Sequence, residues 1–318
     1  MPGMGLLDVI NVCDSFPQND DDAWEATMSQ LWRFYLPGDD RAFGYITPTT
    51  ITQMPWTSDF KVDESSRTVH LSPEDSNDIV ASSAAAITKL LRAAQDAKSF
   101  SKLSNWLGEK FPVLGAPFPF AVDRAIAPYF GIVSTGVQLT IFPRDESGSI
   151  SKIWVARRAD NKPTYPGKLD TAVGGGVNYD ETPFESLMRE AKEELGIDAK
   201  AALSSGSISW FQIKNSTEEN PLPLVECGVQ YVYDLEVDAK TKLDPAEDGI
   251  DWLKLLSVDE VKDALRRREF KPSSACVMVD FLVRHGIINA ENDRDFAEIV
   301  SRLHRRLPLP TTYPLKMG

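Results

Sequence analysis

Two periods of apolar spacing run along the chain, and the change from one to the other divides it. Leu6, Leu7, Val9 and Ile10 lie at helical spacing and predict a short helix over residues 6–16. The acidic NDDDAWE run that follows reads as a helix start near Asp22. The segments LWRFYLP and RAFGYIT flank a turn at Gly38-Asp39-Asp40 and predict a β-hairpin, and FKVD with RTVHLS predicts a second. Pro48 and Thr49 open a short helix between them. Ile79, Ala86, Ile87, Leu90 and Leu91 fit one face of a long amphipathic helix within Asp75–Lys98. EKFPVLG reads as a strand and AVDRAIAPYFGI as a helix.

Beyond Phe130 the strand period dominates, through GVQLTIFP, SKIWVARR, LDTAVGGGV, SISWFQIK and VECGVQYVYDLEV. One strong helix, Pro183–Leu195, interrupts this series. Three helical patterns close it, at Val258–Arg267, Ser274–Arg284 and Asp293–Arg305. The tail LPLPTTYPLKMG reads as extended. The breakers in GAPFPF mark the best boundary, giving a smaller α+β domain over residues 1–128 and a second domain over 129–318.

Composition narrows the function classes. The 318 residues carry a net charge of −13, which argues against a non-specific nucleic-acid binder and against docking on an anionic membrane. No apolar run approaches the length of a bilayer span, and the N-terminus lacks the pattern of a secretory signal or transit peptide. Cys13, Cys227 and Cys276 are widely spaced with no CxxC pair, as expected of a protein in the reducing cytoplasm.

The chemistry concentrates in GGGVNYDETPFESLMREAKEELGI. Thr182-Pro183-Phe184-Glu185 has the form of a capping box with Pro at the first helical position, and Gly196 supplies the stop. Phe184, Leu187, Met188, Ala191 and Leu195 form one apolar arc able to pack on a sheet. Glu190, Glu193 and Glu194 share a neighbouring arc. Like charges at this spacing destabilise a helix by a few tenths of a kcal/mol per pair, roughly. A ridge of hard carboxylate oxygens behind a Gly-rich loop is what a Mg²⁺ site requires, and the ion would cancel the repulsion.

At these residues the chain resembles the Nudix box, G-x5-E-x7-R-E-U-x-E-E-x-G-U, through Gly175, Glu181, Arg189, Glu190, Ala191, Glu193, Glu194, Gly196 and Ile197. The one departure is Ala191, smaller than the usual aliphatic. The resemblance implies an α/β/α sandwich around a mixed sheet and a hydrolase of diphosphate bonds, with Mg²⁺, or Mn²⁺ in its place, held by Glu190, Glu193, Glu194 and the carbonyl of Gly174. It implies that Arg189 pairs with Glu181 and orients the helix. Glu193 is the candidate general base. Arg157, Arg158, Lys168 and Asp170 are candidate substrate contacts; on an alternating strand only one of the two arginines can face the pocket.

The order of segments from IWVARRADNKPTYPGKLDTAVGGGV to LHRRLP is similar to the thiamine-pyrophosphokinase-related Nudix proteins, which carry an extra N-terminal domain. That resemblance implies hydrolysis of thiamine diphosphate and its damaged oxo and oxy analogues to the monophosphate and phosphate. No fused kinase is expected. The alternatives are a Nudix pyrophosphatase acting on ADP-ribose or another nucleoside diphosphate derivative, an isomerase of the isopentenyl diphosphate type, and a non-catalytic sensor of a diphosphate metabolite. The expected partner is the small-molecule substrate, with a homodimer as an open option. Trp32, Trp56, Trp106, Trp154, Trp210, Tyr165 and Phe211 are available to line a pocket, though each reads first as core. His285 reads as a helix cap or core residue.

Overall fold

The computed structural model describes residues 4–19, 22–74, 77–100, 103, 108–215 and 222–313. Trp106 and the last five residues of the tail lie outside them. The first elements are α1 (Leu6–Cys13), α2 (Ala23–Met28), β1 (Trp32–Tyr35), β2 (Ala42–Ile46), α3 (Pro48–Gln53), β3 (Phe60–Asp63), β4 (Thr68–Leu71) and α4 (Ile79–Asp96). Both predicted hairpins form and join in one sheet of order β2-β1-β4-β3, in which β1 and β4 run parallel. The predicted face of α4 is buried: Ala86, Ile87, Leu90, Leu91 and Ala94 share a core with Phe34, Ile46, Val69 and Leu71.

The AVDRAIAPYFGI segment departs from its expected helix. Ala121–Asp123 is strand β6, paired antiparallel with β5 (Lys110–Pro112), and only α5 (Ala127–Phe130) is helical. The local Ala-rich composition favours helix, but the backbone of Lys110–Pro112 offers ladder partners that propensity does not count. Gly131 ends α5 with φ 59°, and a Cβ there would overlap the carbonyl of Tyr45. Only glycine fits both the left-handed turn and the close approach of the two domains.

The second domain comprises β7 (Ser134–Pro143), β8 (Lys152–Arg158), β9 (Leu169–Asp170), β10 (Val173–Gly176), α6 (Pro183–Leu195), β11 (Leu203–Lys214), β12 (Leu224–Val237), β13 (Ile250–Ser257), α7 (Val258–Arg266), α8 (Pro272–Arg284) and α9 (Phe296–Leu303). One sheet has the order β10-β7-β12-β11 and is mixed, with β7 and β12 parallel. A second has the order β13-β8-β9. The two-residue period of β8 sorts its side chains between two cores. Trp154 and Ala156 pack with Leu187, Ala191 and Leu195 of α6, whereas Ile153 and Val155 pack with α7, α8 and α9. Helices therefore cover both sides of the sheets, giving the α/β/α layering.

Helix α1 is the first element in sequence yet packs far from the sheet that follows it. Leu6, Val9, Ile10 and Cys13 enter the core built by α7, α8 and α9. Two fully buried charges secure this return. Arg305 Nε lies 2.6 Å from Asp14 Oδ1, and its terminal nitrogens donate to the carbonyls of Phe16 and Pro17. Asp14 also accepts from the Phe211 amide and from Gln18. Past Arg305 the chain crosses to the other domain: the Gly115 amide donates to the Thr312 carbonyl at 2.8 Å, and Tyr45 donates to Pro308.

Candidate active site

Helix α6 begins and ends where its sequence signals. Thr182 Oγ1 accepts from the Glu185 amide, Glu185 returns a bond to the Thr182 amide, and Gly196 adopts φ 67° as the cap. Leu187, Ala191 and Leu195 are buried. Ala191 has no exposed surface, so its small side chain still fills its place against the sheet. Phe184 departs from the expected apolar arc: it is 38% exposed, at the rim near Tyr233.

The acidic residues of the box meet one cation. Arg189 donates to Glu181 through Nε at 2.8 Å and Nη2 at 3.1 Å, and through Nη1 to Glu190 at 2.8 Å and Glu193 at 3.1 Å. Burial disfavours the charged guanidinium, but the Glu181 and Glu190 carboxylates outweigh it and raise its pKa. Glu181 is lowered: burial acts against its charge, and Arg189, Ser186 and Asn178 overcome that by hydrogen bonding. Tyr313 donates to the Glu181 carbonyl at 2.6 Å, so the C-terminal segment clips the loop leading into α6. No sequence pattern announced that contact.

Glu194 is different. Its Oε2 accepts from the Gly174 amide at 2.9 Å, and among the described residues no Lys or Arg lies within ion-pair distance of it. Burial, then the neighbouring Asp170, Glu190 and Glu247 charges, push its pKa up to about 8 against the relief from Gly174. Burial likewise raises Glu190, with Arg189 opposing. Glu194 lines a small cavity with Gly174, Asp170, Arg158 and Lys162.

These residues fit a divalent cation in chemistry. The donors are carboxylate oxygens, and one of them is buried with no counter-charge. Among the described residues, however, no three acidic, His or Cys side chains converge closely enough to hold an ion as they stand. Arg189 draws Glu190 and Glu193 aside, so one of them must turn from the guanidinium to complete a ligand set. The N–H of Gly174 is bonded to Glu194.

The glycine before the helix is dictated by this packing, because a Cβ at Gly175 would overlap Glu190 Oε1. Gly175→Ala is therefore expected to expel the Glu190 carboxylate and lower kcat/KM about tenfold to a hundredfold, with a stability cost of about 1–3 kcal/mol. Steady-state kinetics beside a denaturant titration measures both.

The four candidate substrate contacts separate. Arg158 and Asp170 reach the cavity together, joined at 3.2 Å, with Arg158 also on the carbonyls of Thr164 and Tyr165 and Asp170 accepting from Ser274. Arg157 faces the other way, into Asp160 and Asp251. Lys168 donates to the Arg268 carbonyl at 2.8 Å, outside the cavity. The alternation rule correctly allowed only one arginine, but which one depends on the register of β8 against β13 and β9. Lys162, on Glu247, is a cavity residue that sequence reasoning missed. Of the aromatic candidates, Trp32, Trp154, Trp210 and Phe211 are core, and Trp56 packs against it. His285 follows the last turn of α8 and bonds Asp234.

Both parts of the chain match known domain families. Residues 135–275 match the NUDIX domain family. The chain carries a Nudix domain. Residues 10–134 match a domain of unknown function, DUF4743. An uncharacterized protein of Saccharomyces cerevisiae is 29% identical over 98% of this chain and 94% of its own length. Nudix hydrolase 20 of Arabidopsis thaliana, a chloroplastic protein, is 28% identical over 70% of this chain, which spans 58% of that relative. A Deinococcus radiodurans crystal structure is similar with TM-score 0.34 and 21% identity, covering 46% of this chain and 81% of that one. Nudix hydrolases act on phosphoanhydride bonds, and that is the reaction class of this domain.

Proposed function

We propose that the protein is a Mg²⁺-dependent diphosphatase that converts thiamine diphosphate and its oxo and oxy analogues to the monophosphate and phosphate. The observation that carries the metal-dependent part is Glu194, a buried carboxylate with no cation of its own, beside Glu190 and behind the Gly-rich turn. When bound, the ion supplies positive charge against the phosphate oxygens and makes water a better nucleophile at neutral pH. Glu190, Glu193 and Glu194 hold it, and Mn²⁺ can replace Mg²⁺. Glu193, the most exposed of the three, takes the proton from the attacking water. Arg189, fixed by Glu181, sets the rotamers of Glu190 and Glu193. Arg158 lines the far wall of the cavity, held by Asp170.

The thiamine part of the reading rests on the order of segments that flank the box, and on nothing in the cavity. The setting is cytoplasmic, in keeping with three buried free cysteines. Among the described residues no helix is long and apolar enough to cross a membrane. The test is a panel of diphosphates with product identification. The expected result is thiamine monophosphate plus phosphate from thiamine diphosphate, with higher kcat/KM for the oxidised analogues. Preference for ADP-ribose would overturn the substrate, and no turnover of any diphosphate with Mg²⁺ or Mn²⁺ would overturn the enzyme.

A further inference from the structure

A diphosphate carries more negative charge than the ion alone offsets, and the box surrounds it with carboxylates. Cations must come from elsewhere, and those of the cavity and the box are committed. Arg157 is held by Asp160 and Asp251, Lys162 by Glu247, and Lys168 by a backbone carbonyl. Arg158 is saturated by Asp170 and two carbonyls. Arg189 is spent on the box glutamates.

The β5–β6 hairpin of the first domain brings two others to the same place. The Phe111 ring stands 2.9 Å from where a Cβ of Gly176 would be, immediately after Gly175, which makes room for Glu190. The Tyr179 amide donates to the Lys110 carbonyl at 3.0 Å, fixing the hairpin to the loop before α6. Arg124 follows β6. Its guanidinium sits 5.7 Å from the Phe111 ring centroid, its Nη1 meets Glu109 at 2.6 Å, and its side chain is 56% exposed. Lys110 is exposed, with no carboxylate in ion-pair distance among the described residues. Glu109, Lys110, Asn178, Tyr179 and Asp180 border a groove between the hairpin and the box loop.

We propose that the β5–β6 hairpin of the N-terminal domain is the cationic half of the site, with Arg124 and Lys110 gripping the substrate's phosphates across the carboxylate ridge. The aromatic shelf of Phe111 holds Arg124 over the glycine turn, and Glu109 restrains it until an anion arrives. Residues 10–134 thereby contribute binding groups to the reaction of residues 135–275. The inference rests on reading the box as a diphosphatase site and is independent of the organic group.

The test titrates inorganic pyrophosphate into the full chain with Mg²⁺, by calorimetry. Arg124→Ala is expected to weaken binding roughly ten- to hundredfold, with Arg124→Lys recovering part, as for loss of a charge-assisted hydrogen bond. Lys110→Ala is expected to weaken it about threefold to tenfold, and Glu109→Gln, which releases Arg124, to tighten it severalfold. In steady state, KM is expected to rise in Arg124→Ala with kcat little changed. Wild-type affinity in Arg124→Ala and Lys110→Ala, at unaltered melting temperature, overturns the proposal. So does a wild type that binds no pyrophosphate. If Arg124→Ala fails to fold, unchanged affinity in Glu109→Gln overturns it instead. A wild type that binds pyrophosphate but leaves thiamine diphosphate intact defeats the substrate reading alone.

Discussion

Glu194→Gln is expected to reduce turnover by about a thousandfold while making the metal-free protein more stable at neutral pH. Both effects have one origin. Removing a charge-bearing ligand forfeits several kcal/mol of transition-state stabilisation, and each ~1.4 kcal/mol is tenfold in rate. In the absence of an ion that same charge is a burden, because burial raises the Glu194 pKa to about 8 from its ordinary value of 4.5. The folded state then holds a proton that the unfolded chain has released. Stability is full below pH ~4.5 and is lost as pH rises toward and through about 8, by about 1.4 kcal/mol per unit within that window. Thermal melts in EDTA from pH 4.5 to 9 should show this decline in the wild type and its absence in Glu194→Gln. The variant is expected to gain about 1–3 kcal/mol at pH 7. Added Mg²⁺ reverses the ranking, since it stabilises only the protein able to bind it. Equal pH slopes for the two proteins in EDTA would contradict the account.

The second large effect concerns stability alone. Arg305→Met is expected to cost about 3–5 kcal/mol, because it strands Asp14 as a buried charge and leaves the carbonyls of Phe16 and Pro17 without donors. Asp14 would keep its bonds from Phe211 and Gln18, which do not neutralise it. The double variant Asp14→Leu/Arg305→Met is expected to recover much of the loss, since an apolar pair has no stranded charge. Urea titration with unchanged slope measures both. A loss under ~1 kcal/mol in the single variant would mean that water reaches the pair.

How much of this was written in the sequence depends on the range of the interactions. The box helix was legible residue for residue, because capping, periodicity and the glycine stop are local. The spacing of Glu190, Glu193 and Glu194 along α6 was legible for the same reason, but their engagement by Arg189 and Gly174 was not. The disposition of the cations was not. Arg157 and Arg158 are neighbours in sequence, and only the strand register decides that one meets Asp251 and the other Asp170. The β6 strand was missed because its partner, Lys110–Pro112, supplies the only reason for Ala-Val-Asp to be extended. The Tyr313 and Lys110 contacts with the loop of the box were invisible, since each joins segments more than fifty residues apart in a chain of 318.

The placement of α1 has a consequence for biosynthesis. Its apolar face is buried by helices and strands that lie beyond residue 140, and its Asp14 waits for Arg305. The sheet from Trp32 to Leu71 with α4 can collapse as soon as it leaves the ribosome, but α1 emerges before it and has nothing to settle on. Leu6, Val9 and Ile10 thus remain open to chaperones through most of translation, and closure of the last helices over them marks the moment the nascent chain matures.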